Sequence, residues 1–370
     1  MFPSTPSSER FKLHPSPQVA RTLTDEYRHL PVMLNQVDHL LALSAGETFC
    51  DCTLGGAGHS AWLGQKLGSQ GLLIGIDQDS AAIQAAGAVL AQQLPNTPTR
   101  LIAGNFADLD DHLLAVLQPG VDAFLFDLGL SSHQIDNVER GFSYSQHAPL
   151  DMRMSPGNQT LTAEEVINTK NETDLARILY TYGEERFASR IARAIVARRR
   201  QRPFTDSLDL AETIRQAIPA AARRSGGNPA KRSFQALRIY VNSELEALEQ
   251  GLEAALRWVN PGGRIAVLSY HSLEDRIVKR MFGEATKGCI CPAEATVCVC
   301  GHESVFELLT RHPLTPEPEE QQANPRSSSA RLRAIRRLKA DDPGQRQATD
   351  DRQAFDAFGE PEQPGTLAFE

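Results

Sequence analysis

Four short apolar runs separated by turns and helical patterns constrain this chain more than any other feature. Glu47-Thr-Phe-Cys-Asp-Cys52, Gly71-Leu-Leu-Ile-Gly-Ile-Asp77, Arg100-Leu-Ile-Ala-Gly104 and Val121-Asp-Ala-Phe-Leu-Phe-Asp127 read as strands. Helical character follows the first over Ser60 to Leu67 and the second over the alanine-rich Asp79 to Leu94. Strands alternating with helices predict an α/β fold, a parallel sheet joined by right-handed crossovers. The rhythm then stops. From about Asp136 to Asn242 the pattern is helices and loops. Strand character returns at Gly263–Ser269, after a turn at Asn260-Pro-Gly-Gly263, and a last strand is expected over Ala330 to Leu338. A sheet interrupted in this way is a core carrying an inserted helical domain.

The expected layout follows from those breaks. Residues 1–26, rich in Pro and Ser, are a disordered segment, and 27–135 form the first part of the core. Residues 136–242 are the helical insertion, and 243–340 complete the core with a Cys-rich loop at 289–300. Residues 341–370 are a disordered acidic tail.

The ends of the strands carry the chemistry. Gly55-Gly-Ala-Gly-His-Ser60 follows the first strand and opens a helix, where glycines let backbone pass close to a ligand. Asp77 ends the second strand, 22 residues beyond Gly55, where a carboxylate can accept from both ribose hydroxyls. Phe106 lies just past the third strand, placed to wall off an adenine, and Asp127 ends the fourth. Open α/β sheets bind ligands at this edge. Each feature alone is weak, since a lone glycine turn is common and an acid at a strand end is often a helix cap. Their joint order points to a nucleoside-type cofactor. Gly56-x-Gly58-x-x-Ala61 also satisfies the dinucleotide fingerprint, so a nicotinamide-dependent oxidoreductase stays open on these residues alone.

Longer motifs decide between the two. Asp127-Leu-Gly-Leu-Ser-Ser132, with His29-Leu-Pro-Val32, Asp51-Cys-Thr-Leu-Gly55, Gly58-His-Ser60 and Pro149-Leu-Asp-Met-Arg-Met154, resembles the bacterial 16S ribosomal RNA cytosine-N4 methyltransferase family. Tyr182–Ala188, Phe234–Arg238, Val241–Leu245 and Ser269-Tyr-His-Ser-Leu-Glu-Asp-Arg-Ile-Val278 extend the match to about residues 29–338. The resemblance implies a Rossmann-like class I methyltransferase core with an inserted all-helical domain. It implies S-adenosylmethionine as methyl donor and the N4 amine of a cytosine in 16S ribosomal RNA of the small subunit as acceptor. It also assigns Ala57, Gly58, His59, Asp77, Phe106, Asp127 and Gln134 to the cofactor. One departure is the turn, where the family has Gly-Gly-His and this chain has Ala57-Gly58-His59. A backbone contact there suits Ala only if its dihedral is not left-handed. A non-catalytic ribosome-assembly factor would require a damaged cofactor site, yet Gly58, Asp77 and Asp127 are all present.

Cytosine N4 is a poor nucleophile, because its lone pair is delocalised into the ring, whereas a sulfonium methyl is already activated. Catalysis therefore rests on in-line alignment and an acceptor for the amine proton. Asp127 and the backbone of Leu128 to Ser131 are the expected place. The Pro-Pro-aromatic motif of DNA amino-methyltransferases is absent, so a stacking ring must come from Phe142, Tyr144 or Tyr270. His271 is a second catalytic candidate. Its segment also reads as a capping box, Ser272 to Asp275, with Ser272 at the N-cap.

The net charge of −8 argues against an RNA partner only if spread evenly. The tail 341–370 holds eight acids against two arginines, while Arg177 to Arg202 holds eight arginines against two acids. Local charge governs phosphate contact, because screening acts over about 10 Å. Arg186, Arg190, Arg193 and Arg198 to Arg200 recur at helical spacing and are expected to meet RNA. Arg331, Arg333, Arg336 and Arg337 form a second basic stretch. Cys289, Cys291, Cys298 and Cys300 have a spacing that can hold one structural zinc through four thiolates. Met1 to Pro17 lacks an apolar stretch of signal-peptide length, and no run approaches the roughly 18 apolar residues of a membrane helix. A cytoplasmic protein with no membrane partner is expected, with a homodimer as the oligomeric state to test.

Overall fold

A computed structural model describes residues 31–339 except 132, 133, 135, 136, 224–227, 293, 294 and 296. The segment 1–26, His29, Ser132 and the tail 341–370 lie outside the described residues.

Continuous apolar runs become strands covered on both faces, as a parallel sheet requires. β1 (Thr48–Asp51), β2 (Leu72–Asp77), β3 (Thr99–Ala103), β4 (Val121–Asp127) and β5 (Val259–Ser269) run parallel. β6 (Phe306–Leu308) and β7 (Arg331–Arg337) complete a seven-stranded sheet of order β3-β2-β1-β4-β5-β7-β6, with β7 antiparallel to both neighbours. The order reverses between β1 and β4, so the crevice beyond their carboxyl ends is the natural ligand site of this Rossmann-like fold.

Side-chain alternation sorts the strands' residues to two faces. Phe49, Leu73, Ala123, Leu125, Leu268 and Leu332 pack with α1 (Leu34–Leu41), α2 (Gly58–Leu63) and α3 (Ser80–Gln93). Cys50, Ile74, Phe124, Phe126, Val267 and Ile335 pack with α4 (Leu109–Ala115) on the other face. A third apolar cluster, built wholly from residues 150–241, belongs to α5 (Ala163–Thr169), α6 (Glu172–Gly183), α7 (Ala188–Arg199), α8 (Ser207–Ala217), α9 (Ala220–Arg223) and α10 (Lys231–Asn242). Thr162, Asn171 and Asp206 start three of these helices by accepting the N–H groups of Glu165, Asp174 and Asp209. Ser243, at φ 49°, breaks the chain out of α10. α11 (Glu244–Trp258) then returns Leu248 and Leu252 to the sheet's second face, where α12 (Ser272–Ala285) joins it.

Three expectations need correction. Asn260-Pro-Gly-Gly263 is no turn ahead of β5 but a bulge within it, since Val121 pairs with Val259 and Ala123 with Arg264. Asn260 Nδ2 holds the bulge by donating to Asp122 Oδ1 at 2.8 Å. α2 starts at Gly58 and yields to a 3-10 turn over Gly64–Lys66, earlier than the Ser60–Leu67 span. β6 was not expected at all. No helix among the described residues is long and apolar enough to cross a membrane.

Candidate active site

The site is assembled where β1, β2 and β4 end. Asp51, closing β1, is buried, and its carboxylate accepts from the Thr53 N–H at 3.1 Å and Ser60 Oγ at 2.6 Å, pinning both ends of the glycine turn. Ala57 sits inside that turn at φ 61°, ψ 21°, fully buried. The dihedral is left-handed, so the departure from glycine falls where an L side chain is strained by roughly 1–2 kcal/mol. The condition for the expected backbone contact at Ala57 is not met, its N–H going to the Leu54 carbonyl instead. A Cβ on Gly58 would stand 2.8 Å from Pro31 Cγ, so only glycine lets the Pro31-Val32 segment lie across the turn. Val32 repays the approach, its carbonyl accepting from His59 Nε2 at 3.0 Å.

With Nε2–H so committed, His59 turns Nδ1 toward Asp127 Oδ2 at 3.5 Å. Asp127 is further fixed by its own N–H, donated to Thr53 Oγ1 at 2.6 Å, and by the Tyr270 hydroxyl, donated to Oδ1 at 2.7 Å. Burial pushes the Asp127 carboxyl above the ordinary range, and His59 and Tyr270 restrain the rise. The Tyr270 hydroxyl is itself pushed well up, by burial and by the Asp127 charge.

Asp77 is held by two backbone donors, Gly55 N–H to Oδ2 and Asp79 N–H to Oδ1, each at 2.8 Å. Burial outweighs both and lifts its carboxyl to about 6. The Asp77 carbonyl accepts the Gly104 N–H at 3.0 Å, which brings the end of β3 alongside. Two residues on, Phe106 begins a 3-10 turn capped by Asn105, its half-buried ring edge-on to Phe126 at 5.6 Å between centroids. The ring is a wall anchored on the core.

Gln134 is buried. It accepts the Ser131 N–H at 3.1 Å and donates to Asp79 Oδ2 at 3.4 Å. That oxygen also takes Arg140 Nη1 at 2.6 Å, while Arg140 Nη2 donates to the carbonyls of Arg153 and Met154. Arg140 and Asp79 therefore link the Pro149–Met154 motif to the strand ends. Neither was singled out in the sequence, although Asp79 stands where an N-cap was due.

His271 takes a different place from the one expected. It, not Ser272, is the N-cap of α12. Its Nδ1 accepts the Glu274 N–H at 3.3 Å, and Glu274 Oε2 takes the N–H groups of Tyr270 and His271. Its Nε2 is 3.2 Å from Glu274 Oε1. Ser272 Oγ is drawn instead to Glu184 Oε2 at 2.5 Å. Of the three aromatic candidates, Tyr144 is edge-on to Phe234 at 5.7 Å and Phe142 packs on the helical cluster, whereas Tyr270 meets Asp127.

The arginines divide in the same way. Arg198 pairs with Asp209 and lies over the Phe204 ring at 4.8 Å, and Arg199 donates to the Ile167 carbonyl. Arg193 reaches Glu172 at 3.4 Å, while Arg186, Arg190 and Arg200 are exposed. Arg331 and Arg333 both bind Asp275, Arg336 binds Glu307 and Arg337 the Val259 carbonyl, so this second basic stretch is spent on the sheet. The four clustered cysteines meet in the connection between α12 and β6.

Known proteins agree with the motifs. A family model described as the MraW methylase family matches residues 26–338. The ribosomal RNA small subunit methyltransferase H of Heliobacterium modesticaldum is 49% identical over 314 residues, covering 85% of this chain and 99% of that protein. The protein of the same name from Symbiobacterium thermophilum is 49% identical over 314 residues, covering 85% and 98%. Among solved structures, an rRNA methylase from Streptococcus thermophilus aligns over 82% of this chain and 95% of its own at 12% identity and a TM-score of 0.38. With one family model spanning the sheet and the helical cluster, and relatives at half identity over almost their full length, the chain belongs to the MraW methylase family.

Proposed function

We propose that this protein is a cytoplasmic enzyme that transfers the methyl group of S-adenosylmethionine to the N4 amine of one cytosine in 16S ribosomal RNA of the small subunit. The observation that carries the reading is the pair of half-buried carboxylates flanking the β1–β4 reversal, Asp77 held by backbone N–H groups and Asp127 by the Tyr270 hydroxyl, with His59 Nδ1 at 3.5 Å. The names of the relatives support the RNA class, and the resemblance supports the cytosine amine.

The residues present suit the donor. Both Asp77 oxygens keep a lone pair for ribose hydroxyls after taking one N–H each. A Cβ on Gly56 would meet nothing within 4 Å, so open space lies against the turn formed with Ala57, Gly58 and His59. Phe106 walls the adenine, and Gln134 completes the floor. The donor supplies an activated methyl group and leaves as the neutral thioether. The cytosine N4 lone pair forms the new N–C bond as the S–C bond breaks, and N4 must then lose a proton. Asp127 Oδ2 receives it, because burial favours the protonated carboxyl and Tyr270 occupies Oδ1. His59 Nδ1, whose partner nitrogen is committed to Val32, is placed to accept the proton onward. His271 acts as the cap that sets Tyr270 against Asp127.

Residues 27–135 and 243–340 serve as the catalytic core and 136–242 as the RNA-facing unit, a division supported by the apolar cluster of residues 150–241. Arg186, Arg190 and Arg200 carry its phosphate contacts. The test is to incubate labelled donor with small subunits lacking the modification and map the methylated nucleotide. Asp127→Ala should abolish transfer. Tyr270→Phe should lower turnover by about 10- to 100-fold, the value of one hydrogen bond to a charged group, with product affinity changed only a few-fold. Wild-type turnover in Asp127→Ala, or a methyl on any atom but cytosine N4, overturns the reading.

A further inference from the structure

The described part of the connection between α12 and β6 has no apolar core to hold its shape. Among the described residues between Gly283 and Leu309 none is buried, and Ile290, Val297 and Val299 stand exposed to solvent. Ordering one residue costs about 1–2 kcal/mol of backbone entropy, and a connection this long without a core of its own is uncommon in a compact domain. Yet the chain brings four thiols from its two halves to one point.

The sulfurs of Cys289, Cys291, Cys298 and Cys300 all lie within 4.8 Å of one another. Cys289 and Cys298 are 3.4 Å apart, Cys298 and Cys300 3.6 Å, and Cys289 and Cys300 3.8 Å. Four thiolates around one zinc at about 2.3 Å would be separated by about 3.8 Å along each tetrahedral edge. A disulfide would instead single out one pair at about 2.05 Å, and three similar separations single out none. The turn after Cys300 adds a donor suited to a thiolate, because Gly301 at φ +58° lets the His302 N–H face Cys300 Sγ at 3.5 Å.

We infer that Cys289, Cys291, Cys298 and Cys300 hold one zinc ion, and that this metal ties the two cysteine pairs of the α12–β6 connection together in place of an apolar core. Four protein ligands leave no open position, so the ion is structural. α12 carries the chain about 21 Å, at 1.5 Å per residue, from the Tyr270 end before the cysteines begin. Methyl transfer does not pass through it.

The test uses the full-length protein, purified without chelator or metal-affinity tag. Elemental analysis should find one zinc per chain, and exchange with cobalt(II) should give the visible absorption of a tetrahedral tetrathiolate site. Cys298→Ser with Cys300→Ser should lose the metal yet keep far-ultraviolet dichroism and the calorimetric binding of S-adenosylhomocysteine. Lys287 lies in the connection, so chelation should speed tryptic cleavage there at least tenfold, read by mass spectrometry. Substoichiometric metal in fresh protein, iron in place of zinc, zinc kept by the double variant, or cleavage at Lys287 indifferent to chelation would each overturn the inference. Should the double variant not fold, the cobalt spectrum and the chelation experiment on the unaltered chain decide it.

Discussion

Burial lifts the Asp77 carboxyl to about 6 although two N–H groups stabilise its charge. In the free protein, folding therefore gains from a proton on Asp77. That gain is full below the unfolded value of 3.8 and is lost as pH rises toward 6. Ribose hydroxyls donating to the carboxylate favour the opposite form, so nucleoside binding expels the proton. Affinity for S-adenosylhomocysteine should climb as pH rises to about 6 and level off above it, while Asp77→Asn should be weaker and flat. Calorimetry from pH 5 to 8 checks this, and a flat wild-type profile would remove Asp77 from the ribose contact. Ala57→Gly should raise stability by a few tenths to about 1 kcal/mol, the relief of a left-handed alanine less one buried methyl, read as a higher denaturant midpoint. A lower midpoint would mean that the packing of the methyl outweighs the strain. Asp77 was legible because an acid ended an apolar run at a set distance from a glycine turn. The sign of φ at Ala57 was not, since it depends on how Pro31 and Val32 close over the turn. Nor was the Tyr270–Asp127 bond, whose partners are 143 residues apart.

Elements written as long apolar or alanine-rich stretches were legible to within a residue or two. β2, β4 and α3 are examples, and β7 identified itself by apolar residues alternating with its arginines. Failures came where tertiary partners compete with local preference. Ser272 is intrinsically the better N-cap, yet Glu184 takes its hydroxyl and the cap moves back to His271. The Pro-Gly-Gly of residues 261–263 has the composition of a turn, but β4 pairs on both sides of it and makes it a bulge. β6, at three residues, is too short to show a period. α7 shows the same competition among its arginines. Replacing Arg186, Arg190 and Arg200 with Gln should lower the salt slope of binding to an rRNA fragment by about 2, at roughly 0.7 per single-strand phosphate contact. Arg198→Gln should leave the slope alone and weaken the fold instead, because it leaves Asp209 to the longer Arg202 contact at 3.4 Å and uncovers Phe204. Anisotropy titrations across a salt series check both, and an unchanged slope in the triple variant would place the RNA elsewhere.

At the scale of the molecule, the alternation of strands and helices foretold the sheet, and its interruption foretold a helical stretch with apolar residues of its own. The reversal between β1 and β4 needed the structure, because strand order is set by long-range pairing that no local pattern records. The interruption also has a temporal side. β4 pairs with β5, yet about 130 residues of chain separate them. At roughly 5–20 residues per second, a ribosome takes on the order of 7 to 26 s to deliver the second after the first. During that interval the newborn half-sheet presents β4 as a bare margin, with Phe124 and Phe126 facing no complete layer. The helices emerging meanwhile can condense on one another, since their apolar cluster is built wholly from residues 150–241. The first half of the sheet has no such recourse, and its safe passage depends on how quickly the second half arrives.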